Sequence, residues 1–425
     1  MNILINHAKT AFEYIKAFTK WFLISIVIGA VGGYVGSFFH LSIDKATQLR
    51  EGFPWILYFL PLGGLFIAFI YRLSSRFGKL STDRVLDALK TDNNVPAVMA
   101  PLIFVSTVIT HFFGGSAGRE GAALQLGGSM AYTVGKVMRL NSSDRHIIVM
   151  TGMSAVFAAL FGTPLTAAIF SIEVTFVGMR CYAALLPCII SAIIGTKVAL
   201  SFGLHAVRFD SDFVFTMNPE NFGRISALAI LCALMSIVFC IFIKQSSVCF
   251  KKLIANSYIR AFVGGVIIIL LTLAVGCYDY NGAGMETITK AIDGSALPYA
   301  FILKLLFTCI TIAAGFKGGE IVPAFFVGST FGCVVGPMLG IDSGFAAQIG
   351  FVALFCGAVN CPIASLLLAL EVFGSQNILV FAIVCAISYM MSGRVGLYTS
   401  QNILYSKISD NLLEFEVANS PKKKD

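Results

Sequence analysis

The sequence GGSAGREGAALQLGGS, residues Gly114–Ser129, places an arginine, a glutamate and a run of glycines in a chain that is otherwise apolar enough to lie in a bilayer. A charged residue at membrane depth costs about 2.5–3.5 kcal/mol on insertion scales, so Arg119 and Glu120 need a partner, water or a task. The glycines permit a close approach of the backbone, and the residues after Glu120 favour a helix that begins there. The stretch therefore predicts a helix N-terminus in mid-membrane.

Such a helix start is suited to an anion. Its free N–H groups and positive dipole end attract negative charge, and the Glu120 carboxylate can occupy that place when no anion is present. We therefore predict that Glu120 is a gate and a proton acceptor. The alternative is a tight turn in which Glu120 caps the helix and pairs with Arg119. Residues Gly114–Gly118, GGSAG, also fit a hydrolase elbow, but an apolar membrane segment and not a strand precedes them.

The composition is that of a multi-pass membrane protein. The 425 residues are 57% apolar and 12% charged, with a mean hydropathy of +0.85. Apolar stretches recur from end to end, which excludes a large soluble domain. The eleven cysteines form no C-x-x-C pair and the five histidines lie far apart, so we expect reduced cysteines, no metal and no cofactor. The net charge of +8 lies in short loops and at the tail, which fits membrane orientation and not nucleic-acid binding.

Charge and hydropathy divide the chain into five segments. They are a cytoplasmic N-terminal segment (1–20), a first membrane repeat (21–204), an external loop (205–221), a second membrane repeat (222–407) and a short cytoplasmic tail (408–425). Because basic loops stay inside, we predict a protein of the cell membrane with both termini in the cytoplasm. The first apolar run lacks a cleavage site and is expected to remain as a span.

Several apolar segments have unusual lengths. The first two spans are expected at Trp21–Phe39 and Pro54–Tyr71, whereas Val98–Phe113, Met150–Gly162 and Pro164–Phe176 are short for a crossing, which needs about 20 residues. Broken or half-spanning helices are tolerated where they are buried or line a watery site. These segments therefore indicate a transporter or a channel.

An internal repeat relates the two halves. The pattern of Gly115, Gly118, Glu120, Gly128 and Ser129 recurs 200 positions later in GFKGGEIVPAFFVGS, residues Gly315–Ser329. Chance recurrence in a glycine-rich chain is the alternative. A Pro-x₈-Glu element that ends at Glu173 recurs with its acid at Glu371, and this favours a duplication. The site is then expected at the interface of the repeats, near the bilayer midplane.

Two other features follow the same repeat. The offset of 200 also pairs the helix-like runs Val85–Lys90 and Met285–Ile292, and Ser81 is the expected N-cap of the first run. Glu173 and Glu371 are expected to be buried structural carboxylates, because their mirrored positions indicate a duty that both halves share.

The chain resembles the CLC family of anion channels and anion/proton exchangers. GREG at Gly118–Gly121 resembles the gating-glutamate motif, GGEIVP at Gly318–Pro323 resembles the second helix-start motif, and Tyr398 in GLYTS resembles the tyrosine whose hydroxyl contacts the central anion. The resemblance covers about Trp21 to Lys407. It implies an all-α inverted repeat of two halves, with broken and half-spanning helices, that assembles as a homodimer with one pore per subunit.

The resemblance also implies roles for single residues. Glu120 takes the external gating and proton-accepting role. The implied anion-binding residues are Gly118, Arg119, Gly121, Ala122, Glu320, Ile321, Val322, Tyr398 and Thr82. For Glu320 the alternative is a structural ion pair with Lys317 or Arg119. The implied partners are chloride or fluoride, protons and membrane lipid.

Some residues depart from the family pattern. Ala122 stands where proline usually follows GREG, and Val174 stands where many exchangers carry an internal proton-transfer glutamate. LSTDRV at 80–85 replaces the first serine motif, with Thr82 or Ser81 as the remaining hydroxyl. These features are similar to the fluoride/proton branch, whereas Val322 departs from it. The sequence therefore does not decide whether the transported anion is chloride or fluoride.

The sequence predicts a proton-coupled anion exchanger in which Glu120 fills the anion site and leaves it when protonated. A passive voltage- or pH-gated chloride channel of the same fold is the alternative, and Val174 favours it. We do not expect an enzyme, because a hydrolase that used Ser116 would need a base and His111 is the only histidine near it in sequence. A cation transporter would place its acids at helix C-termini, not beside glycine-rich N-termini.

Overall fold

The structure is a computed structural model that describes residues 2–78, 80–90, 94–177, 181–209, 215–403 and 406–408. Asp210 and Asp212 of the expected external loop lie outside these residues, as does the tail after Ile408. The external position of that loop and the cytoplasmic position of the tail therefore stay predictions.

The described residues form sixteen α-helices. They are α1 (Asn2–Gly52), α2 (Leu60–Leu73), α3 (Thr82–Ala88), α4 (Met99–Phe112), α5 (Glu120–Val137), α6 (Ser142–Phe161), α7 (Pro164–Glu173), α8 (Leu185–Ser201), α9 (Pro219–Leu253), α10 (Ser257–Val275), α11 (Met285–Ile292), α12 (Ala300–Ala314), α13 (Ile321–Val335), α14 (Ser343–Val359), α15 (Pro362–Phe373) and α16 (Ile378–Met391). Two-residue strands, β1 (Phe176–Val177) and β2 (Asn402–Ile403), pair in parallel. The predicted all-α class is confirmed.

Helix lengths support a polytopic membrane protein. Seven helical stretches of the described residues are long and apolar enough to span a membrane, and six further apolar helices have only 10–17 residues. Two of the short helices, α4 and α7, cover segments that the sequence predicts to be short. A full crossing needs about 20 residues, so these helices end inside the bilayer.

The first predicted span lies within a longer helix, and one other segment was predicted wrongly. Helix α1 is continuous from Asn2 to Gly52, so it begins before Trp21 and continues past Phe39. Lysine favours helices, which is why the basic segment does not end α1. The segment Met150–Gly162 is not a separate short helix but the end of the 20-residue α6, which includes a polar first turn capped by Asn141.

The repeat is visible in matching helix starts. Helix α3 corresponds to α11, α5 to α13 and α7 to α15. Ser81 stands at the N-cap of α3, but its side chain makes no capping hydrogen bond, so that part of the prediction was wrong. Glycines let α5 contact α6, and α13 contact α14, through their backbones. A Cβ atom added at Gly127 would lie 2.2 Å from the Gly152 carbonyl oxygen, and one added at Gly328 would lie 2.3 Å from the Gly350 carbonyl oxygen. Such small residues let membrane helices approach closely.

The two halves cap each other through Glu173 and Glu371. The Glu371 carboxylate, near the end of α15, accepts hydrogen bonds from the amides of Leu165 and Thr166 at 2.9 and 2.8 Å, and from the Thr166 hydroxyl at 2.6 Å. Glu173, the last residue of α7, accepts from the amides of Ile363 and Ala364 at 3.4 and 2.9 Å. Each acid thus satisfies free N–H groups at the start of the other repeat's helix. This geometry agrees with the structural duty expected of both glutamates, but only Glu173 is buried, whereas Glu371 is half-buried.

Removal of one of these caps should destabilise the protein without altering transport coupling. Glu371→Ala leaves three donors at the start of α7 unsatisfied, and hydrogen bonds to a charged group contribute about 1.5–3 kcal/mol. We expect thermal inactivation in detergent several degrees below that of the unmutated protein. Glu286→Ala is the matched control, because Glu286 is an exposed acid paired only with Lys290 on the surface of α11. Equal inactivation temperatures for the two variants would refute the capping role.

Candidate functional site

The starts of α5 and α13 meet at a backbone crossing. Gly118 and Gly319 form an isolated antiparallel bridge in which each amide donates to the other carbonyl at 2.7 Å. The offset of 200 in the sequence pairs Gly118 with Gly318, but the bridge joins Gly118 to Gly319, one position later. The two helices differ by the same one position, since α5 begins at Glu120 whereas α13 begins at Ile321. The two helix starts therefore face a common point, as the repeat predicts.

Only glycines fit at this crossing. A Cβ atom at Gly319 would lie 2.5 Å from the amide nitrogen of Gly121, and one at Gly318 would lie 2.4 Å from the Cβ of Ala117. The neighbouring atoms at Gly319 belong to the backbone and cannot rotate away. The crossing thus brings two sets of helix N–H groups together, which is a suitable environment for negative charge.

Glu120 lies at this crossing and is almost completely buried, with 1% of its surface exposed. One carboxylate oxygen accepts a hydrogen bond from the backbone amide of Arg119 at 3.0 Å, so the acid turns back onto the start of its own helix. The Arg119 Nε atom lies 3.7 Å from the other oxygen, but a shorter contact of 2.8 Å joins Arg119 to Asp44. The capping-turn geometry is therefore present, and it places a carboxylate where the helix start attracts an anion.

One cavity opens on the Arg119 side of the crossing. It has a volume of about 340 Å³, and Asp44, Arg119 and His111 are among its lining residues. The Nε2 atom of His40 lies 3.0 Å from the Asp44 carboxylate, which thus holds both His40 and Arg119. We call this space the outer cavity after the predicted topology, in which the end of α1 that carries Arg50 and Glu51 is external.

A second cavity of about 330 Å³ lies on the Glu320 side. Its lining includes Thr82, Gly318, Glu320 and Tyr398, and it shares no lining residue with the outer cavity. We call it the inner cavity. Lys251, Arg260 and Lys317 also line it, together with the acids Asp83 and Glu320. Arg119 lines the outer cavity and Gly318 lines the inner one, so the glycine crossing lies between two cavities that share no lining residue.

Tyr398 presents an unused hydroxyl to the inner cavity. The side chain is 6% exposed, and its hydroxyl has no hydrogen-bond partner among the described residues. Buried hydroxyls are normally paired, so an orphaned one indicates a missing ligand. Asp83 fixes the loop that carries Tyr398, because its carboxylate accepts from the Thr399 hydroxyl at 2.6 Å and from the Ser400 amide at 3.1 Å. The loop of the second half is thus anchored to α3 of the first.

Gln125 is a site residue that sequence reasoning missed. It lies on α5, lines the inner cavity and donates to the Thr82 hydroxyl at 2.8 Å. Its own carbonyl oxygen is buried and has no hydrogen-bond partner in the described part of the chain. A lone polar residue in an apolar helix, five positions after Glu120, is the signal that could have identified it. The Thr82 hydroxyl is oriented by Gln125 at the cavity wall.

The structure separates the predicted anion-binding residues into groups. Gly118, Glu120 and Gly121 meet at the crossing, Thr82, Glu320 and Tyr398 line the inner cavity, and Arg119 lines the outer one. Ala122, Ile321 and Val322 are fully packed and line neither cavity, so only their backbone amides remain candidates for the site. The alternative reading of Glu320, a structural ion pair with Lys317 or Arg119, is not supported, because the described residues form no salt bridge between these groups. The Glu320 carboxylate instead lies 3.5 Å from the position a Gly121 Cβ would occupy.

The hydrolase alternative has no geometric support. The Ser116 hydroxyl shares a hydrogen bond of 3.1 Å with the Thr308 hydroxyl, and the His111 ring contacts the Gly118 carbonyl at 3.4 Å. A nucleophile needs a base within hydrogen-bond reach, and Ser116 is not paired with His111 here.

Known proteins resemble this chain over most of its length. A sequence model of the voltage-gated chloride channel family matches residues 63–393. A chloride/fluoride channel protein of Pseudomonas syringae pv. tomato is 34% identical over 395 residues, which cover 91% of this chain and 87% of that relative. The H(+)/Cl(−) exchange transporter ClcA of Vibrio cholerae serotype O1 is 24% identical over 91% of this chain and 87% of its own length.

Two solved structures also resemble this chain over most of its length. The crystal structure of a CLC-type fluoride/proton antiporter superposes with a TM-score of 0.87 at 30% identity, covering 91% of this chain and 98% of that one. A slow cyanobacterial Cl⁻/H⁺ antiporter matches in fold, with a TM-score of 0.73 at 19% identity, covering 88% of this chain and 94% of its own. Because the family model matches more than half of the sequence, the chain belongs to the CLC family of voltage-gated chloride channels.

Proposed function

We propose that this protein exchanges protons for chloride or fluoride across the cell membrane, with Glu120 as the gate. The observation that carries the proposal is the burial of the Glu120 carboxylate at the crossing of two helix starts, between cavities that share no lining residue. When the acid is charged, the N–H groups of its helix hold it in place. Protonation removes that attraction, and the acid then leaves the position to an anion.

The anion is proposed to bind on the inner side of Glu120. Tyr398 supplies an unused hydroxyl there, Thr82 supplies a second hydroxyl, and the start of α13 supplies backbone amides. The cations Lys251, Arg260 and Lys317 give the inner cavity a positive wall that attracts anions from solution. Fluoride is the first anion to test, because a 34% identical relative and a 30% identical solved structure both carry fluoride in their names.

A passive anion channel is the second candidate. Val174 favours it, because this buried valine provides no acid for an internal proton route, and the 34% identical relative is named a channel. The decisive experiment measures proton uptake and anion efflux together in liposomes, with fluoride and chloride in separate runs at two pH values. An exchanger drives protons uphill when an anion gradient is imposed. Anion efflux without any proton movement would establish the channel instead.

Tyr398→Phe should weaken anion binding and leave the anion-free protein as stable as before. The lost hydroxyl has no protein partner in the described residues, so its removal breaks no internal hydrogen bond. A hydrogen bond to a charged ligand contributes about 1.5–3 kcal/mol, which corresponds to at least tenfold in affinity. Calorimetric titration of the preferred anion measures the effect. Tyr182→Phe, on an exposed side chain, is the control, and unchanged affinity in Tyr398→Phe would exclude the hydroxyl as a ligand.

Topology and assembly complete the proposal. We infer that both termini and the positively charged loops face the cytoplasm, because basic residues favour that side and Arg72, Lys251 and Lys252 stand in the last turns of α2 and α9. We also propose a homodimer in membrane lipid with one pore per subunit. Single-molecule photobleaching in liposomes tests the dimer, since two bleaching steps per particle are expected and one step would contradict it.

A further inference from the structure

A third cavity lies between α2 and α10, beside the ion path and not on it. It measures about 320 Å³, and Tyr71, Arg72, Ser257, Arg260 and Lys317 provide its polar lining. The remaining lining residues are Ile67, Ala68, Ala261, Ala314 and Gly315. We call it the lateral cavity. It lies at the end of α2 and the beginning of α10, which is the face with the positively charged loops.

The lateral cavity carries three positive charges and no acid. Arg72, Arg260 and Lys317 line it, and none of them forms an ion pair in the described part of the chain. The Arg260 guanidinium donates to the Ile254 carbonyl at 3.1 Å, but its Nε–H is buried and has no partner among the described residues. The Lys317 ammonium lies 4.4 Å from the centre of the Tyr71 ring. A cavity lined by three cations and no acid is suited to an anionic occupant.

The occupant must be larger than a single ion and partly apolar. A halide ion would fill a small part of 320 Å³, and the inner cavity already provides the position for it. The outer surfaces of α2 and α10 next to this cavity are apolar and exposed, as shown by Phe69 at 53% and Ile259 at 54%. These surfaces face lipid tails. A ligand that enters from this side thus carries acyl chains, and its charged part meets guanidinium groups, which bind phosphate oxygens well.

We propose that the lateral cavity binds the phosphodiester headgroup of an anionic phospholipid from the cytoplasmic leaflet. Basic pockets between membrane helices on that side are suited to such headgroups. Arg72 and the unpaired Nε–H of Arg260 contact the phosphate oxygens, and the Ser257 hydroxyl contacts the polar headgroup. Arg260 and Lys317 also line the inner cavity, so the lipid phosphate lies beside the anion path and partly neutralises its wall.

The test compares lipid binding by the purified full-length protein and its variants. Native mass spectrometry and thermal shift are measured with short-chain phosphatidylglycerol, short-chain phosphatidylcholine and inorganic phosphate. Arg72→Gln is the test variant, because Arg72 lines the lateral cavity and neither cavity of the ion path. We expect phosphatidylglycerol binding to weaken about tenfold, as for the loss of one charge-assisted hydrogen bond. Arg72→Lys should recover part of that binding.

The control removes the same charge elsewhere. Lys252→Gln lies on the same face, at the end of α9, but lines none of the three cavities, so its phosphatidylglycerol binding should equal that of the unmutated protein. Anion flux by Arg72→Gln in neutral-lipid liposomes should also be unchanged, which shows that the variant is folded. Equal phosphatidylglycerol binding by Arg72→Gln and the unmutated protein would overturn the proposal. Binding of phosphatidylcholine or inorganic phosphate as tight as that of phosphatidylglycerol would overturn it as well.

Discussion

Glu120→Gln is expected to reduce proton transport to the level of empty liposomes while anion movement continues. Glutamine has the shape of a protonated glutamic acid but cannot release a proton, and it carries no charge for the N–H groups at the start of α5 to hold. The variant therefore corresponds to a gate that is permanently released. Liposomes with a pH-sensitive dye and an anion-selective electrode measure both fluxes in one sample. The unmutated protein should show coupled fluxes under the same conditions.

Glu220→Gln is the matched control for this experiment. It makes the same chemical change on an exposed acid of α9, whose partner is Arg224, and it should leave both fluxes unchanged because Glu220 lines none of the three cavities. If Glu120→Gln retained proton transport at the unmutated rate, Glu120 would not be the proton acceptor. Anion-binding measurements distinguish the expected loss of proton transport from misfolding, because a folded Glu120→Gln variant still binds its anion.

Gly319→Ala is expected to destabilise the protein strongly. The new Cβ would lie 2.5 Å from the amide nitrogen of Gly121 and 3.3 Å from that of Glu120, and both atoms belong to the backbone. Relief requires the two 2.7 Å hydrogen bonds between Gly118 and Gly319 to break. Overpacking costs about 1–3 kcal/mol and each lost hydrogen bond about 0.5–1.5 kcal/mol. Thermal inactivation in detergent and anion flux should both show the defect.

Gly223→Ala provides the comparison. Gly223 lies in the first turns of α9, and a Cβ there would meet no atom within 4 Å. Alanine favours a helix over glycine by about 0.5–1 kcal/mol, so this variant should be as stable as the unmutated protein or slightly more so. If Gly319→Ala were equally stable, the two helix starts would not need their close approach, and the crossing would lose its role in forming the site.

The repeat predicted more of the fold than hydropathy did. The recurrence of glycines and glutamates around Glu120 and Glu320 located the starts of α5 and α13 and predicted that they meet, because it reflects a duplicated backbone. Hydropathy misplaced the segment Met150–Gly162, since the polar first turn of α6 belongs to the same helix as the apolar part that follows. It also did not predict that α1 begins well before the first span. A helix can continue through charged residues that a bilayer would not accept.

Site residues that stand in a sequence motif were predicted, whereas residues that come together only in the folded structure were missed. Glu120, Glu320 and Tyr398 stand in recognisable motifs, and the structure gathers them near the crossing or the inner cavity. Gln125 and Asp83 were missed, because their hydrogen-bond partners Thr82, Thr399 and Ser400 lie 43 to 317 positions away. No pattern within a single segment contains such pairings. They depend on the way the two halves pack.

The reciprocal caps also constrain biosynthesis. Glu173 and its partner amide at Ala364 are separated by 191 positions, so the ribosome finishes α7 long before it makes the partner helix. At about 5–20 residues per second, that interval is about 10–40 s. During it, the first amides of α7 and its terminal carboxylate lack the partners that they have in the folded protein. The first half of the chain therefore completes its helix caps only after the second half has been made.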